Sequence, residues 1–436
     1  MPKKSRILIL GHTFNQVSGS GITLSQLFSK FNTSELAVIS DDAYVSDLKI
    51  TTNVFQLGEK ETGKVFPFNL FYVPMVSGEV VSSATSPPRV DRPFRKIMKL
   101  IYHKLINAAG LNFIERRCEI SPGLDKWIRD YKPDVLYTQL SSLGLIRMAQ
   151  KIKSKYQLPL VIHIMDDWPM TINKPNLLYF YWRYKIDYEV KRIFSQASLL
   201  LGISEAMCET YRKRYHRRCT AFHNPIDLKK WLPYTKKTWR IPSDRSTNII
   251  YFGVIHGLVN EAALIRFVKT IHHINRHGIK VKFDIYTFQY QSSAARKLSR
   301  YHGVKVYRNI SHRLIPKTVS KYDICLIPFN SNRYTNKFAK LSMPTKASEC
   351  MISGVPIIIF TDPSAALFQD AHKKRWGFTV SAKKDIELEK MIIQLIKDEG
   401  MRKRLAKKAI SIAKSKFQID PVASKFKELL IKCGVR

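Results

Sequence analysis

Short apolar runs alternate with segments of helical spacing along most of the chain. The strand-like runs occupy 5–11, 36–40, 134–139, 158–167, 197–204, 248–255, 281–288, 304–309, 322–329 and 355–361. Apolar residues recur at helical spacing between them, most clearly over 143–156 and 260–274. Continuous apolar strands alternating with helices are typical of parallel sheets that are covered on both faces. The pattern therefore predicts an α/β fold.

A polar and basic stretch, 229–248, separates the runs into two series. Two series of this kind in a chain of 436 residues predict two Rossmann-like domains. We place the N-terminal domain at 1–235 and the C-terminal domain at 236–415. The last segment, 416–436, predicts a C-terminal helix, and the helical pattern around it breaks near Pro421.

The charge balance is strongly basic, with 73 Lys and Arg against 34 Asp and Glu, a formal net charge of +39. Such a charge predicts an anionic partner or surface. The six cysteines lack metal-site spacing, and Cys325 and Cys350 lie in apolar runs typical of small core residues in a reducing compartment. The N-terminal apolar run is too short for a signal sequence, and no run is long enough to span a membrane. We therefore predict a cytoplasmic protein.

One segment, 92–117, combines basic and apolar residues at helical spacing. This pattern is typical of an amphipathic helix that lies on anionic lipid, although a packed domain helix with a solvated basic face has the same appearance. A nucleic-acid-binding protein is the alternative source of the charge. Its motifs are absent from the sequence, and the basic residues are dispersed, so no nucleic acid is expected as a partner.

Ligands of open parallel sheets bind beyond the carboxyl ends of the strands, so residues that follow a strand are the candidates for chemistry. The first such segment, 11–28, carries Gly19, Ser20 and Gly21 before a predicted helix. Free helix amides there could hold a phosphate or an acceptor oxygen. The alternative is a flexible loop with Ser18 or Ser20 as the helix cap.

The second segment, 162–169, ends a buried strand with two acids. Asp166 and His163 are candidate catalytic residues, because a carboxylate or imidazole at a strand end can orient hydroxyls or stabilise positive charge. Neighbouring strand residues point to opposite faces, so Asp166 and Asp167 should not both face one ligand. The alternative is that one acid caps the next helix and that His163 is a core histidine.

The third segment, 251–264, places Gly253 at the end of the first strand of the second domain. Gly253 is a candidate binding residue, and Gly257 and Asn260 could shape a loop near a diphosphate. The alternative is a strand-to-helix turn capped by Asn260.

The fourth segment, 342–360, predicts a short helix that begins near Pro344 and ends at Gly354. Lys346 and Glu349 then share one helix face. A surface ion pair between them would contribute only about 0.3 to 0.5 kcal/mol. The alternative is a binding site, with Lys346 and the helix N-terminus on a diphosphate and Glu349 on ribose hydroxyls.

The stretch "SMPTKASECMISGVPII" resembles the donor-binding segment of GT-B glycosyltransferases, particularly glycosyltransferase family 4 of the bacterial surface-polysaccharide type. "IHIMDDWP", "GISEAMCETYRKRY", "NPIDLKKW" and "SGSGIT" are similar to other segments of these enzymes. The resemblance implies the GT-B architecture, two Rossmann-like parallel-sheet domains facing a central cleft, with the C-terminal helix returning to the N-terminal domain. It also implies transfer of a sugar from a nucleoside-diphosphate donor to an acceptor hydroxyl, with retention and with neither cofactor nor metal.

The resemblance also implies residue roles. Lys346 would stabilise the leaving diphosphate, Glu349 would hold the ribose, and Thr345 and Ser342 would contact phosphate or sugar. The chain departs from the family pattern where Met165 replaces a histidine and where Leu341 replaces the earlier glutamate. Lys337 or Lys340 is a candidate for the missing phosphate charge.

The expected acceptor is a lipid-linked or surface glycan, met at the inner face of the plasma membrane. An inactive glycosyltransferase-like binding or scaffold subunit is the alternative.

Overall fold

The computed structural model describes residues 5–16, 18–42, 46–64, 69, 75–80, 93–111, 118–170, 176–383 and 385–434. The chain divides into two compact units. Unit 1 comprises Met1–Phe222 and Ala423–Arg436, and unit 2 comprises His223–Val422.

The basic stretch 229–248 belongs to unit 2, so the units divide before it and not within it, where the sequence analysis had placed the boundary. The indole of Trp239 is buried and donates to Gly354 O at 2.8 Å. The ammonium of Lys236 lies 3.3 Å from the buried carboxylate of Asp323. These contacts make the stretch part of the C-terminal unit.

Unit 1 contains a sheet with the strand order β4–β3–β2–β1–β5–β6–β7–β8. All neighbouring strands are parallel except β3 and β4. The strands are β1 (Ile7–Gly11), β2 (Leu36–Ser40), β3 (Val54–Gln56), β4 (Gly78–Glu79), β5 (Val135–Thr138), β6 (Leu160–Ile164), β7 (Leu199–Gly202) and β8 (Thr220–Ala221). The helices are α1 (Gly19–Leu27), α2 (Glu59–Thr62), α3 (Pro93–Ala109), α4 (Pro122–Tyr131), α5 (Leu143–Tyr156), α6 (Tyr179–Gln196) and α7 (Glu205–Tyr215).

Unit 2 contains an all-parallel sheet with the order β11–β10–β9–β12–β13–β14. The strands are β9 (Thr247–Phe252), β10 (Val281–Thr287), β11 (Val304–Arg308), β12 (Ile324–Pro328), β13 (Ile357–Thr361) and β14 (Phe378–Ser381). The helices are α8 (Leu228–Trp231), α9 (Ala262–Arg276), α10 (Ser293–Leu298), α11 (Ile315–Val319), α12 (Arg333–Ala339), α13 (Thr345–Ser353), α14 (Ala366–Lys374), α15 (Asp385–Lys397) and α16 (Glu399–Lys416).

Strand β9 shows why these sequences form central parallel strands. Ile249 and Tyr251 pack into the hydrophobic cluster on one face of the sheet, whereas Ile250 and Phe252 pack into the cluster on the other face. Side chains alternate between the two faces of a strand, so a continuous apolar run can be buried only in a sheet covered on both sides. The predicted fold of two parallel-sheet α/β domains is confirmed.

The last helix, α17 (Ile419–Gly434), contributes to the core of unit 1 through its C-terminal part. The ring of Phe426 is fully buried, and its centre lies 5.0 Å from that of Phe28 and 5.4 Å from that of Phe222. The break between α16 and α17 precedes Ile419, and Pro421 lies in the first turn of α17, where a missing amide is tolerated.

The cysteines behave differently from one another. Cys325 and Cys350 are buried and free, as predicted, with their sulfur atoms 3.0 Å apart. Cys208 and Cys219 form a disulfide between α7 and the segment preceding β8. Their spacing in the sequence did not predict this link.

The predicted amphipathic segment 92–117 contains α3, while residues 92 and 112–117 lie outside the described residues. Within the part of the chain that the structure describes, no helix is long and apolar enough to cross a membrane.

Candidate functional site

The strand order of unit 2 reverses between β9 and β12, and the candidate site lies just beyond the carboxyl ends of these strands. From β9 the chain proceeds to β10 and β11 on one side, and from β12 it proceeds to β13 and β14 on the other. Ligands of open α/β sheets bind in the crevice at such a switch point. Functional side chains are therefore expected in the loops that follow β9 and β12.

Lys346 and Gly253 come together at the end of β9. The ammonium of Lys346, in the first turn of α13, donates to Phe252 O at 3.1 Å and lies 4.6 Å from the ring centre of Tyr251. Gly253 has a φ of +141°, and a Cβ there would lie 2.4 Å from the Lys346 ammonium. Glycine is thus required both for the backbone conformation and for the room that the lysine occupies.

Asn260 fastens the loop between β9 and α9. Its amide group donates to Tyr251 Oη at 2.8 Å and to Val254 O at 2.9 Å, and its oxygen accepts from His256 N at 2.9 Å. The structure therefore favours the loop-shaping interpretation of Asn260 over the helix-cap interpretation. The ring of Tyr251, which contacts Lys346, and the loop between β9 and α9 therefore belong to one hydrogen-bonded network.

Asn330, which follows β12, ties the two loops of the switch point together. Its side chain accepts from Ala263 N at 2.8 Å and donates to Gly257 O at 3.1 Å. The sequence analysis did not single out this residue, although it follows a strand and meets the same positional criterion as the four segments that were chosen.

Glu349 has a partner that lies far away in the sequence. Its carboxylate is 2.8 Å from Nε2 of His312, which lies in a short 3₁₀-helix (His312–Leu314) after β11. Lys346 and Glu349 thus have separate partners at the ends of β9 and β11, and the surface ion pair considered above is not what they form. Both side chains are held at the rim of the sheet where the strands end.

The N-terminus of α13 is available to an anion. Pro344 is its N-cap residue and provides no side-chain cap, and the first turn carries no acidic side chain. Uncapped helix amides together with a lysine ammonium form a favourable environment for a phosphate group. An ammonium has three donors, and Phe252 O takes one of them, so this arrangement can hold a negatively charged ligand oxygen.

The remaining candidates of this segment occupy different environments. Thr345 is exposed at the first turn of α13, whereas Ser342 is buried and its hydroxyl donates to Phe338 O at 2.8 Å. Leu341 is buried, Lys337 is half-buried, and Lys340 is exposed. The roles assigned to these residues remain predictions.

In unit 1, the structure corrects the catalytic assignment of His163. The side chain is 1% exposed within β6, its Nδ1 lies 2.9 Å from Tyr137 Oη, and its ring packs beside Phe426. Burial lowers the pKa of His163 to about 4, so the imidazole is neutral near pH 7. His163 is a core histidine, which was the alternative interpretation.

Lowering the pH should reduce the free energy of unfolding through protonation of His163. Because its folded pKa of about 4 lies below the ordinary value of about 6.5, the unfolded chain takes up a proton first as the pH falls. The stability that the neutral imidazole of His163 contributes is fully present above about pH 6.5 and is lost as the pH falls towards about 4. Between about pH 7 and pH 5, the wild type should lose about 2 kcal/mol more stability than His163→Gln. Urea unfolding of both proteins at the two pH values measures this difference, and parallel losses would refute the assignment.

The two acids that follow β6 separate as expected for neighbouring residues. Asp166 is exposed, whereas Asp167 is buried and accepts two hydrogen bonds from Arg214, at 2.9 and 3.1 Å, and one from Tyr211 Oη at 2.9 Å. Burial, together with this carboxylate, raises the pKa of Tyr211 well above its ordinary value. Asp167 is therefore a structural anchor for α7, and Asp166 is the acid that faces solvent.

The glycine segment of unit 1 differs from its prediction. Gly19, Ser20 and Gly21 lie within the first turn of α1 and not before it, and the hydroxyl of Ser18 caps the helix by accepting from Gly21 N at 3.1 Å. A Cβ on Gly21 would lie 2.2 Å from the side-chain nitrogen of Asn15. The packing of Asn15 thus explains Gly21 without a ligand. A phosphate or acceptor role for this segment stays a prediction.

Sequence reasoning missed a histidine at the end of β1. Nδ1 of His12 lies 3.5 Å from the carboxylate of Asp42, which follows β2. This carboxylate raises the pKa of His12 above its ordinary value, although burial opposes the shift. The positional signal was available, because both residues directly follow predicted strands.

Among the described side chains, no group of three or more His, Cys, Asp or Glu residues is placed to hold a metal ion. The expectation of transfer without a metal stays a prediction.

Comparison with known proteins relates one part of the chain to a family. Residues 79–230 match the model of Glycosyltransferase Family 4. This segment is similar to glycosyltransferase family 4. This match confirms the resemblance found in the sequence and the predicted enzyme class, a glycosyltransferase. A comparison with curated proteins gives no match.

Solved structures share the fold over the whole length. Sucrose-phosphate synthase from Thermosynechococcus elongatus has a TM-score of 0.64 at 12% identity, with 97% of this chain and 98% of that chain covered. HepE from Anabaena, solved with UDP and glucose, has a TM-score of 0.59 at 14% identity, with coverage of 98% and 99%. A glycosyltransferase from Rickettsia africae has a TM-score of 0.59 at 11% identity, with coverage of 99% for both chains. At these identities the likeness shows the fold, which is that of the GT-B glycosyltransferases.

Proposed function

We propose that this glycosyltransferase moves a sugar from a nucleoside-diphosphate donor to a hydroxyl of a lipid-linked or surface-glycan acceptor, with retention of configuration. The observation that carries the proposal is the position of Lys346. Its ammonium is held at the end of β9 by Phe252 O, next to the uncapped N-terminus of α13, and Glu349 follows one turn later. A cation, free helix amides and a carboxylate in this order suit a diphosphate with its ribose.

The hard step in such a transfer is charge separation. The bond between the sugar carbon and the diphosphate oxygen breaks, and its electron pair stays on the leaving diphosphate. The acceptor oxygen forms the new bond to that carbon, and its proton passes to the departing phosphate. Lys346 and the α13 amides would stabilise the charge that grows on the diphosphate, because fixed donors in a shielded site cost no reorganisation during the reaction.

Glu349 would accept hydrogen bonds from the ribose hydroxyls. Its carboxylate has one oxygen on His312, which fixes its orientation and leaves the other oxygen for a ligand. Thr345, Ser342 and Gly253 would shape the donor pocket around them. No metal ion is included in this proposal, and unchanged turnover after treatment with EDTA would agree with that choice.

The acceptor side is assigned to unit 1. Asp166, exposed after β6, would orient the acceptor hydroxyl or stabilise positive charge on the sugar. Gly19, Ser20 and Gly21 would approach the acceptor or a phosphate. The net charge of +39 supports an acceptor presented at an anionic membrane, at the inner face of the plasma membrane.

A panel of nucleoside diphosphates tests the donor assignment. HepE was solved with UDP-glucose, which makes UDP the first probe, followed by GDP and ADP. A ligand at about 100 times its Kd should raise the melting temperature by roughly 5–10 °C. Glu349→Gln should bind the same nucleotide about tenfold more weakly, because the amide loses the charge-assisted bonds to ribose.

The matched control for Glu349→Gln is Glu389→Gln, which removes a carboxylate that also pairs with a histidine of unit 2, His273. This control should keep the full thermal shift. If no nucleoside diphosphate or its sugar stabilises the wild type, the proposed function is wrong. A nucleotide that binds without turnover of any sugar donor would instead support the binding or scaffold subunit.

A further inference from the structure

Helix α6 of unit 1 has two apolar faces instead of one. The face towards the core carries Trp182, Ile186, Val190, Ile193 and Phe194, all buried. The opposite face carries Phe180, Tyr181, Tyr184 and Tyr188, and Leu177 lies two residues before the helix; all five side chains are exposed. Leu177 is 87% exposed, Phe180 is 85% exposed and Tyr184 is 74% exposed. A surface helix of a globular protein normally presents charged and polar residues on that face.

The end of α3 meets the start of α6, and α3 also exposes apolar side chains. Leu177 N donates to Ala108 O at 3.3 Å, and the indole of Trp182 donates to Gly110 O at 2.6 Å. We name the exposed apolar residues of the two helices the α3–α6 surface. It consists of Met98, Leu100, Ile101, Leu105, Leu177, Phe180, Tyr181, Tyr184 and Tyr188. Several exposed apolar side chains on two helices that meet in this way indicate an interaction site.

Basic residues predominate in α3 and in the first two turns of α6. Helix α3 contains four Lys and Arg residues and no Asp or Glu over Pro93–Ala109. The first two turns of α6 contain Arg183 and Lys185 and no acid, and its acidic residues, Asp187 and Glu189, come later. An apolar surface accompanied by basic side chains is complementary to an anionic lipid bilayer.

The geometry points to a membrane-docking role. We propose that the α3–α6 surface lies on an anionic lipid bilayer, with Leu177 and Phe180 at the boundary between headgroups and acyl chains and the tyrosines at headgroup level. Tyrosine suits that position because its ring is apolar and its hydroxyl remains hydrated. This inference deepens the proposed function, since it identifies the face on which the enzyme would rest while it meets a membrane-bound acceptor.

Two other occupants fit the surface less well. A second copy of the chain would bring two basic faces together, which costs electrostatic free energy. A single-stranded nucleic acid stacks on aromatic rings and pairs with lysines, but Met98, Leu100, Ile101 and Leu105 offer bases neither rings nor hydrogen bonds. A bilayer uses the aliphatic and the aromatic residues alike.

Sedimentation of the full chain with lipid vesicles tests the proposal. The wild type should bind vesicles that contain phosphatidylglycerol at least tenfold more tightly than vesicles of phosphatidylcholine alone, because each Lys or Arg near an anionic surface contributes about fivefold. The Phe180→Ser, Tyr184→Ser double variant should bind the anionic vesicles at least tenfold more weakly. Both side chains are exposed, so the fold should survive these changes.

The matched control is Tyr234→Ser with Ile386→Ser, which removes two exposed apolar side chains of unit 2 and should leave vesicle binding unchanged. The proposal would be overturned if the wild type did not bind anionic vesicles. It would also be overturned if the Phe180, Tyr184 double variant bound them as tightly as the wild type does. Loss of binding to a single-stranded oligonucleotide in that variant while its vesicle binding persists would likewise overturn it.

Failure of this inference can be told from failure of the proposed function by measuring the UDP-dependent thermal shift of the same proteins. The Phe180, Tyr184 double variant should keep the wild-type shift while it loses vesicle binding. A wild type that binds vesicles and no nucleoside diphosphate would leave the membrane surface in place and refute the glycosyl transfer.

Discussion

Lys346→Ala is expected to lower kcat/KM for sugar transfer by about 10²–10³-fold while the protein stays folded. Removing one preorganised donor to a developing negative charge has an effect of this size in other enzymes. The ammonium lies at the end of β9 with Phe252 O as its hydrogen-bond partner and the Tyr251 ring 4.6 Å away. Release of nucleoside diphosphate from the donor that stabilises the wild type measures the change.

Lys374→Ala serves as the control for this prediction. Lys374 is also a lysine of unit 2 and pairs with Asp370 one turn earlier in α14. Its loss removes the same charge from the protein, but at a helix surface, and should leave kcat/KM within about twofold. Equal losses of activity in the two variants would show that net charge, and not the position of Lys346, is what matters.

Asp167→Ala is expected to destabilise unit 1 by about 3 kcal/mol or more. The substitution leaves Arg214 partly buried without its carboxylate partner and removes the hydrogen bond from Tyr211. Breaking a buried charge pair on one side costs about 3–5 kcal/mol because the remaining charge is uncompensated. Urea unfolding, followed by tryptophan fluorescence, measures the difference from the wild type.

Asp166→Ala, at the neighbouring position, is the control for Asp167→Ala. Asp166 is exposed, so its loss should change stability by less than about 0.5 kcal/mol, while turnover should fall if it orients the acceptor. The account of these two acids would be wrong if Asp166→Ala destabilised the protein as much as Asp167→Ala does.

The central strands and the longer helices could be predicted from the sequence because their apolar periodicity is a local property. The predicted helix over 143–156 coincides with α5, and the run at 36–40 coincides with β2. Strands β3, β4, β8 and β14 were not predicted. They are two to four residues long and lie towards the edges of their sheets, where pairing with a neighbour decides the conformation.

Part of the candidate site was predictable for a related reason. Lys346, Glu349 and Gly253 follow strands or open the helix beside one, and the strand pattern locates those positions. Their partners were not predictable, since His312 lies 37 residues from Glu349 and Phe252 lies 94 residues from Lys346. Such pairs are set by the order of the strands in the sheet, which the apolar pattern does not contain.

The errors in unit 1 have the same origin. His163 lies inside β6, so it does not strictly meet the criterion of a polar residue that follows a strand. Its burial depends on Phe426 from the C-terminal helix. The bond between Asp167 and Arg214 spans 47 residues. The two apolar faces of α6 are visible in the sequence, but only the packing of Trp182 shows which face belongs to the core.

In the proposed mechanism, Lys346 binds the diphosphate of the donor. Isothermal titration of UDP and UMP into the wild type and into Lys346→Ala tests it directly, because the difference between the two ligands isolates the second phosphate. The wild type should bind UDP at least tenfold more tightly than UMP, and Lys346→Ala should lose most of that preference. A variant that keeps the full preference for UDP would contradict the claim.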